Sequence, residues 1–391
     1  MNIVEETRRE KLTKELGASK ERVDFIVKSI STYSPSGNES AFSNLIRDEL
    51  SARGLNPRID SAGNVICETG SGNISLLMCG HMDTVPGQLQ VKQDDAGLVY
   101  GRGACDAKGA LLALLFAFEE LVFRIPDSGR VVFAAVTDEE MSGAGLAELI
   151  NNGVKTDYAI FGEPGGVSRV TVGYRGHITT RLQVLTPEVH ASAPMLTTNA
   201  AELLFEIYNT IKRNLDAVDS RSTDKISASL TEVGGGSVHN VIPGKVFATL
   251  DVRVPIGQST ESAREVIMRT ASSYEETTPD AKVSVSFGEP TEPYRVRLDS
   301  PLVRAMNRSI LRTGAKPSMV TKSGTGDMST YALTFGVDAL TYGPGDAKLS
   351  HTSEEKISPS EIFGCSSIVV NAALELFVMN SKKKDNSSGN A

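Results

Sequence analysis

Leu76-Leu77-Met78-Cys79-Gly80-His81-Met82-Asp83-Thr84-Val85-Pro86-Gly87 joins an apolar run to two polar side chains. The apolar residues from Ile74 to Cys79 have the length and composition of a short buried strand. The run ends at Gly80, and His81 and Asp83 follow at once. A His just past a strand end can offer a ring nitrogen to a metal. An Asp two residues on can accept the other ring N–H and fix the tautomer. His-x-Asp is by itself a common chance pattern, and a strand-end His is more often simply hydrogen-bonded. The reading turns on whether other strands end the same way.

Two do. Arg130 to Val136 is nearly continuous apolar sequence, expected of a central parallel strand, and runs into Thr137-Asp138-Glu139-Glu140. Asp157 to Phe161 reads as a further strand and runs into Gly162-Glu163-Pro164. A glycine-rich turn, Gly101 to Gly109, carries Asp106 and feeds a helix from Ala110 to Val122. Its glycines fit neither a Walker phosphate loop nor a dinucleotide fingerprint. This alternation predicts an α/β fold, a mostly parallel sheet flanked by helices. Its functional crevice is expected at the carboxyl ends of the strands.

Outward from this core, helices are expected over Glu5 to Leu16, Arg22 to Ile30 and Ser40 to Arg53, and a strand over Asn64 to Glu68. From about Gly173 the pattern changes. Strands at His177–Leu185, Lys225–Thr231, Lys245–Val254 and Ala281–Phe287 mix with helices at Thr197–Leu215 and Thr260–Tyr274. Residues 175–290 thus read as an inserted α+β domain, within the normal domain size. Residues 1–174 and 291–391 then form one catalytic domain. It resumes with a helix over Ser300–Thr313, the glycine-rich Ser323-Gly324-Thr325-Gly326-Asp327, a strand near Ala339, Ser350-His351-Thr352 and a helix over Pro359–Met379. Residues 381–391 are expected to be a disordered tail.

The bulk numbers exclude several classes. A net charge of −8 over 391 residues leaves no basic footprint for nucleic acid. Cys67, Cys79, Cys105 and Cys365 lack any C-x-x-C or framework spacing and read as free thiols of a reducing compartment. The charged first twenty residues are no signal peptide, and no apolar run is read as approaching the ~20 residues that span a bilayer. A soluble cytoplasmic protein with no membrane partner is expected.

The candidate ligands are His81, Asp106, Glu140 (or Glu139), Glu163 and His351. His and carboxylate donors without Cys suit zinc, with cobalt or manganese as substitutes. Five ligands exceed one catalytic zinc with an open position. They suit two metals about 3.5–4 Å apart that share a bridging carboxylate. Such chemistry needs one more carboxylate as general base within reach of the attacking water, and the Glu139-Glu140 pair supplies it.

Taken together, Gly-His-Met-Asp-Thr-Val-Pro-Gly (80–87), Tyr-Gly-Arg-Gly-Ala-Cys-Asp-Ala-Lys-Gly (100–109), Thr-Asp-Glu-Glu (137–140), Gly-Glu-Pro (162–164) and His-Thr (351–352) resemble the dinuclear-zinc deacylase and exopeptidase family. That family contains acetylornithine deacetylase, succinyl-diaminopimelate desuccinylase, carboxypeptidase G and the aminoacylases, and the resemblance spans nearly the whole chain. It implies two zinc ions, one held by His81 and Glu163, the other by Glu140 and His351, with Asp106 bridging and joined to Ala107 by a cis peptide. It implies Glu139 as general base acting on a metal-activated water, and Asp83 as the residue that orients His81. The insert would be a lid and dimerisation domain, making the protein a homodimer.

By the same resemblance, His190 in Val-His-Ala-Ser-Ala-Pro would stabilise the oxyanion, Asn240 would help bind substrate, and Arg253 in Asp-Val-Arg would grip a substrate carboxylate. Gly324, Thr325 and Asp327 would form a substrate-side loop; on charge alone, Asp327 is expected to pair with a basic leaving side chain. The implied activity is hydrolysis of the amide bond of an N-acyl amino acid. The flavour is closest to acetylornithine and acetyl-lysine deacetylases of arginine and lysine biosynthesis, including those releasing lysine or ornithine from a carrier protein. Succinyl-diaminopimelate desuccinylase and metallo-exopeptidase activities are the alternatives within the class. A non-catalytic binding protein on the same scaffold is the alternative outside it.

Overall fold

The computed structural model describes residues 20–218 and 224–388, with side chains as far as residue 379. The helix expected over Glu5 to Leu16 lies outside the described residues. The chain falls into two compact units. The first comprises residues up to Val172, Val296–Val320 and the chain from Gly326 onward. The second comprises Gly173–Arg295 with Thr321–Thr325.

The first unit begins with α1 (Lys20–Ser31) and α2 (Ser40–Ala52), then β1 (Arg58–Ile59), β2 (Val65–Thr69), β3 (Ile74–His81) and a short ribbon of β4 (Lys92–Gln93) and β5 (Val99–Tyr100). It continues through α3 (Lys108–Leu121), β6 (Gly129–Val136), α4 (Ala144–Asn151), β7 (Tyr158–Gly162) and β8 (Arg169–Tyr174, whose last two residues group with the second unit). β3 pairs in parallel with β6 on one side and β7 on the other, so three consecutive strand ends lie side by side. The flanks are antiparallel: β2 runs against β6, and β1 against β2. Helix α3 is apolar all round, and every residue except Glu120 is buried, as expected of a helix sealed inside a unit. It covers β3, β6 and β7.

The second unit contains β9 (Gly176–Leu185), β10 (Val189–His190), α5 (Ala200–Asp216), β11 (Ser227–Gly235), β12 (Val241–Ile242), β13 (Lys245–Val254), α6 (Thr260–Thr277), β14 (Lys282–Phe287) and β15 (Tyr294–Arg295). Its main sheet has the antiparallel order β11-β13-β9-β14. Strict alternation along β9 buries Ile178, Leu182 and Val184 against Leu204, Ile207 and Ile211 of α5 and Ile267 of α6. Asn199 caps α5 by accepting the Ala201 N–H at 3.0 Å.

Back in the first unit come α7 (Pro301–Arg312), β16 (Ser318–Lys322, whose last two residues group with the second unit), α8 (Asp327–Phe335), β17 (Asp338–Thr341), β18 (Lys356–Ile357) and α9 (Pro359–Ser388). β17 pairs in parallel with β7 and extends the sheet. Three sequence expectations need correction. Asp327–Phe335 is a helix that was not foreseen. Residues 381–388, expected to be a disordered tail, continue helix α9. Pro359–Met379 is long and apolar enough, by length and composition, to cross a membrane. More than half of it is buried in the structure, packed on α3 and α7 as a core helix.

Candidate metal centre

The centre is built where β6, β3 and β7 end together. Gly80 and Gly162 are paired neighbours on β3 and β7. A Cβ at Gly80 would lie 3.3 Å from Leu111 Cα, and one at Gly162 would lie 3.2 Å from the Ala110 carbonyl carbon. The bare strand ends therefore let the first turns of α3 seat closely on the sheet. The Asp106–Ala107 peptide, which is cis, leads directly into that helix. The side chain of Asp106 lies at the strand ends beside His81.

His81 Nε2 lies 3.5 Å from Asp106 Oδ1 and 3.9 Å from Glu163 Oε1. His351 Nε2 lies 3.4 Å from Asp106 Oδ2 and 2.9 Å from Glu140 Oε1. Asp106 thus turns one oxygen to each histidine, and each histidine has its own glutamate. Donor atoms of His81, Asp106 and Glu140 all fall within 4.8 Å of one another. This arrangement suits one carboxylate shared between two cations.

Asp83 stands behind His81. Its Oδ1 is 3.3 Å from His81 Nδ1, and its carboxylate is fully buried, at 0 % exposure. It accepts the Glu139 N–H at 3.1 Å, the Glu140 N–H at 3.0 Å and the Ser36 hydroxyl at 2.7 Å. One carboxylate therefore ties the end of β3 to the Glu139-Glu140 turn that follows β6. Asp138 and His351 are the only non-glycine residues with positive φ among the described residues, at 61° and 65°. Both stand at the centre, one just before Glu139 and the other a candidate ligand, the placement expected of strained backbone in a functional site. Glu39 accepts the Asp138 N–H at 3.1 Å, and Ser142 bonds the Asp138 carboxylate.

The acids at this site crowd one another. Burial raises Glu139 to about 8, with Asp327, Glu140 and Asp106 adding to it against the opposite pull of His81. Burial likewise raises Asp327 to about 7, reinforced by Glu163 and Asp83. Burial and Asp106 raise Glu140. For His81, burial acts downward, but hydrogen bonds to Asp106 and Asp83 and the charge of Glu139 lift it well above the usual range. For Asp83, burial acts upward, but the hydrogen bond and charge of His81, the Glu140 N–H and the Ser36 hydroxyl bring it down to about 2. Buried acids that resist ionisation around a histidine that holds its proton are a site in need of positive charge. The donors are imidazole nitrogens and carboxylate oxygens. The nearby Cys105 thiol is instead turned to the Asp346 carbonyl at 3.0 Å and pushed by burial up to about 12. The set fits two zinc, cobalt or manganese ions.

Other expected contact residues belong to the second unit. His190 on β10 is paired with Val241 on β12, and the Asn240 carbonyl accepts the Ala191 N–H at 2.8 Å, so His190 and Asn240 are close neighbours. His190 Nδ1 lies 2.7 Å from Ser192 Oγ and accepts the Ser192 N–H at 3.2 Å. An N–H pointed at Nδ1 leaves the proton of a neutral ring on Nε2. Arg253 Nε and Nη2 donate to the two oxygens of Asp251 at 2.7 and 2.8 Å, and His177 stands 3.3 Å from the same carboxylate. The guanidinium expected to meet a substrate carboxylate thus already shares one edge with a protein carboxylate. Gly324 and Thr325 group with the second unit, whereas Asp327 opens α8 in the first, with its charge felt at His81, Glu163 and Asp83. Sequence reasoning missed Ser36, Glu39, Arg102 and Glu355, all of which brace these loops, because no local pattern marks them.

The family's sequence profile, Peptidase family M20/M25/M40, matches residues 77–375, a span that contains every candidate ligand. The chain belongs to the M20/M25/M40 peptidase family. Two relatives of this M20-type chain are a LysW-lysine/LysW-ornithine hydrolase from Sulfurisphaera tokodaii and a LysW-lysine hydrolase from Deinococcus radiodurans. The first is 32% identical, over 93% of this chain and 98% of its own. The second is 29% identical, over 90% and 96%. Among solved structures, a tripeptidase from Staphylococcus aureus superposes with a TM-score of 0.80 at 21% identity, covering 92% of this chain and 99% of its own. A dinuclear metal binding peptidase of the M20 family from Bacillus subtilis gives 0.74 at 16% identity, covering 94% and 99%. These two likenesses show the shared fold. The M20-type chain is a hydrolase, which removes the reading as a non-catalytic binding protein.

Proposed function

We propose that this hydrolase uses two divalent cations, zinc by preference, to cleave an amide that links the amino group of lysine or ornithine to an acyl group or carrier protein. The observation that carries the reading is the split of Asp106, one oxygen toward His81 and Glu163, the other toward His351 and Glu140. The substrate class is supported by the LysW-lysine and LysW-ornithine hydrolases that align over nearly the full chain. When bound, the cations would activate a water and polarise the amide carbonyl.

The chain's own residues supply the rest. Asp83 aims His81 and, through two backbone N–H groups, sets the Glu139-Glu140 turn. Glu139 is the remaining carboxylate of that turn and takes the proton of the attacking water, then returns it to the leaving amine. We assign the second unit as the lid and as the surface of a homodimer. His190 presents Nε2–H to the developing oxyanion, with Asn240 beside it on the substrate. Arg253, steadied by Asp251, offers its outer donors to a substrate carboxylate. Gly324 and Thr325 line the substrate, and Asp327 meets a basic side chain. Asp327→Ala with unchanged preference for basic over neutral amino acids removes that last role.

The test is a hydrolysis panel with the cation content measured in parallel. It comprises acetyl- and succinyl-lysine and -ornithine, a carrier-protein conjugate of each amino acid, succinyl-diaminopimelate and dipeptides. The expected result is two cations per chain and highest kcat/KM on the carrier-protein or acyl conjugates of lysine or ornithine. Highest kcat/KM on succinyl-diaminopimelate or dipeptides overturns the substrate assignment, and full turnover in a chelator overturns the cation assignment.

A further inference from the structure

Glu355 is a carboxylate with 1 % exposure that takes no part in the ligand set. Its Oε2 accepts three backbone N–H groups in one turn: Gly103 at 2.9 Å, Cys105 at 3.3 Å and Asp106 itself at 3.4 Å. Its Oε1 pairs with Arg102 Nη1. Arg102 in turn donates to the Thr352 carbonyl at 3.0 Å and, from Nε, to the Gly87 carbonyl at 3.0 Å. The Gly101 N–H also reaches back to the Glu355 carbonyl at 3.2 Å.

These contacts join three loops that each carry part of the centre. Gly87 closes the segment that begins with His81 and Asp83. Gly103 to Asp106 is the turn that presents the shared carboxylate. Thr352 adjoins His351. Gly103 has φ +80°, and a Cβ there would meet Thr84 Cγ2 at 2.7 Å, so the turn's path requires glycine at this position. A buried carboxylate that accepts several backbone N–H groups holds a loop rigidly, because losing it strands donors that water does not reach.

We propose that the Glu355–Arg102 pair is a positioning device for Asp106 and His351; because Asp106 serves both ions and His351 only one, the pair acts most strongly on the ion held with Glu140 and His351. The pair touches neither ligand oxygens nor ring nitrogens. It acts on the backbone that carries them. On the His81 and Glu163 side the pair acts through Asp106 alone, while Asp83 braces both His81 and the Glu139-Glu140 turn. This inference rests on the dinuclear reading of the site and adds a division of labour within it.

The experiment is cation titration of the chelator-stripped full chain with Zn²⁺ and with Co²⁺. Wild type, Glu355→Gln and Arg102→Lys are followed by calorimetry, by the visible spectrum of the cobalt form and by thermal unfolding without metal. In Glu355→Gln an amide NH₂ must face either the backbone N–H groups or Arg102. Arg102→Lys keeps the charge and loses the fork. Both variants are expected to bind one ion roughly 10–100-fold more weakly, as when an outer partner of a ligand is removed, and the other with a clearly smaller loss. The corresponding cobalt band is lost first. Two ions bound by wild type and both variants with unchanged affinities overturn the inference and leave the dinuclear reading standing. Equal weakening of both ions, in step with a collapsed thermal transition, assigns the pair a structural role and also overturns it. One ion or none bound by wild type overturns the dinuclear reading and this inference with it.

Discussion

Replacing Asp83 by Asn tests whether the end of β3 and the Glu139-Glu140 turn are held by one buried charge. Two routes to the magnitude agree. The folded carboxyl sits at about 2 against an ordinary 3.8. That difference in proton affinity stabilises the folded, ionised state by about 2.5 kcal/mol. Independently, Asn keeps one carbonyl oxygen for a site where two backbone N–H groups and a hydroxyl converge, at 3.1, 3.0 and 2.7 Å. An N–H left facing the amide NH₂ costs roughly 1–3 kcal/mol. Urea unfolding of chelator-stripped protein at pH 7 should therefore show Asp83→Asn less stable by roughly 2–3 kcal/mol. A group whose folded pKa is depressed stabilises above its unfolded pKa and loses that contribution as pH falls through the folded value. The gap between wild type and variant should hold above about pH 4 and close toward pH 2. A variant within about 0.5 kcal/mol of wild type at neutral pH, or a gap that widens in acid, refutes the reasoning.

The raised His81 and the Glu139 carboxyl at about 8 mean that the metal-free centre holds protons at pH 7 that bound cations expel. Zinc titrations in two buffers of different ionisation enthalpy should reveal net proton release, with affinity rising from pH 6.5 to 8. Buffer-independent heats contradict this. Glu139→Gln should lower kcat by roughly 10²–10⁴-fold while both cations stay bound. Loss of cation from that variant would recast Glu139 as a ligand.

The strand ends carrying His81, Glu139, Glu140 and Glu163 were legible in the sequence because an apolar run that stops at a polar cluster is a local event. Asp106 was legible because a glycine-rich turn before an apolar helix is local too. Helix α8 was missed because Thr330, Tyr331, Thr334 and Phe335 look strand-like, although Met328, Tyr331 and Ala332 bury at helical spacing and Gly336 ends the helix with φ 65°. Residues 381–388 of the expected tail continue α9 because lysines and other polar residues do not by themselves break a helix. Glu355 was unreadable for a different reason. Its partners lie about 250 residues earlier, and a buried acid beside another Glu looks like solvated loop until the fold brings Arg102 to it. Asp251 was likewise read only as part of the Asp-x-Arg pattern, since nothing in the sequence says that it would occupy Arg253.

The order in which the candidate ligands occur along the chain has a consequence for synthesis. His81, Asp106, Glu140 and Glu163 leave the ribosome before the second unit, and His351 and Glu355 follow about 190 residues after Glu163. At roughly 5–20 residues per second this is a delay of ~10–40 s. Through that interval the nascent chain carries the His81–Glu163 half of the centre without the histidine or the Glu355 brace of the other. On the proposed assignment, the second half is completed only with the last stretch translated, and a chain stopped short of His351 lacks one of its candidate ligands.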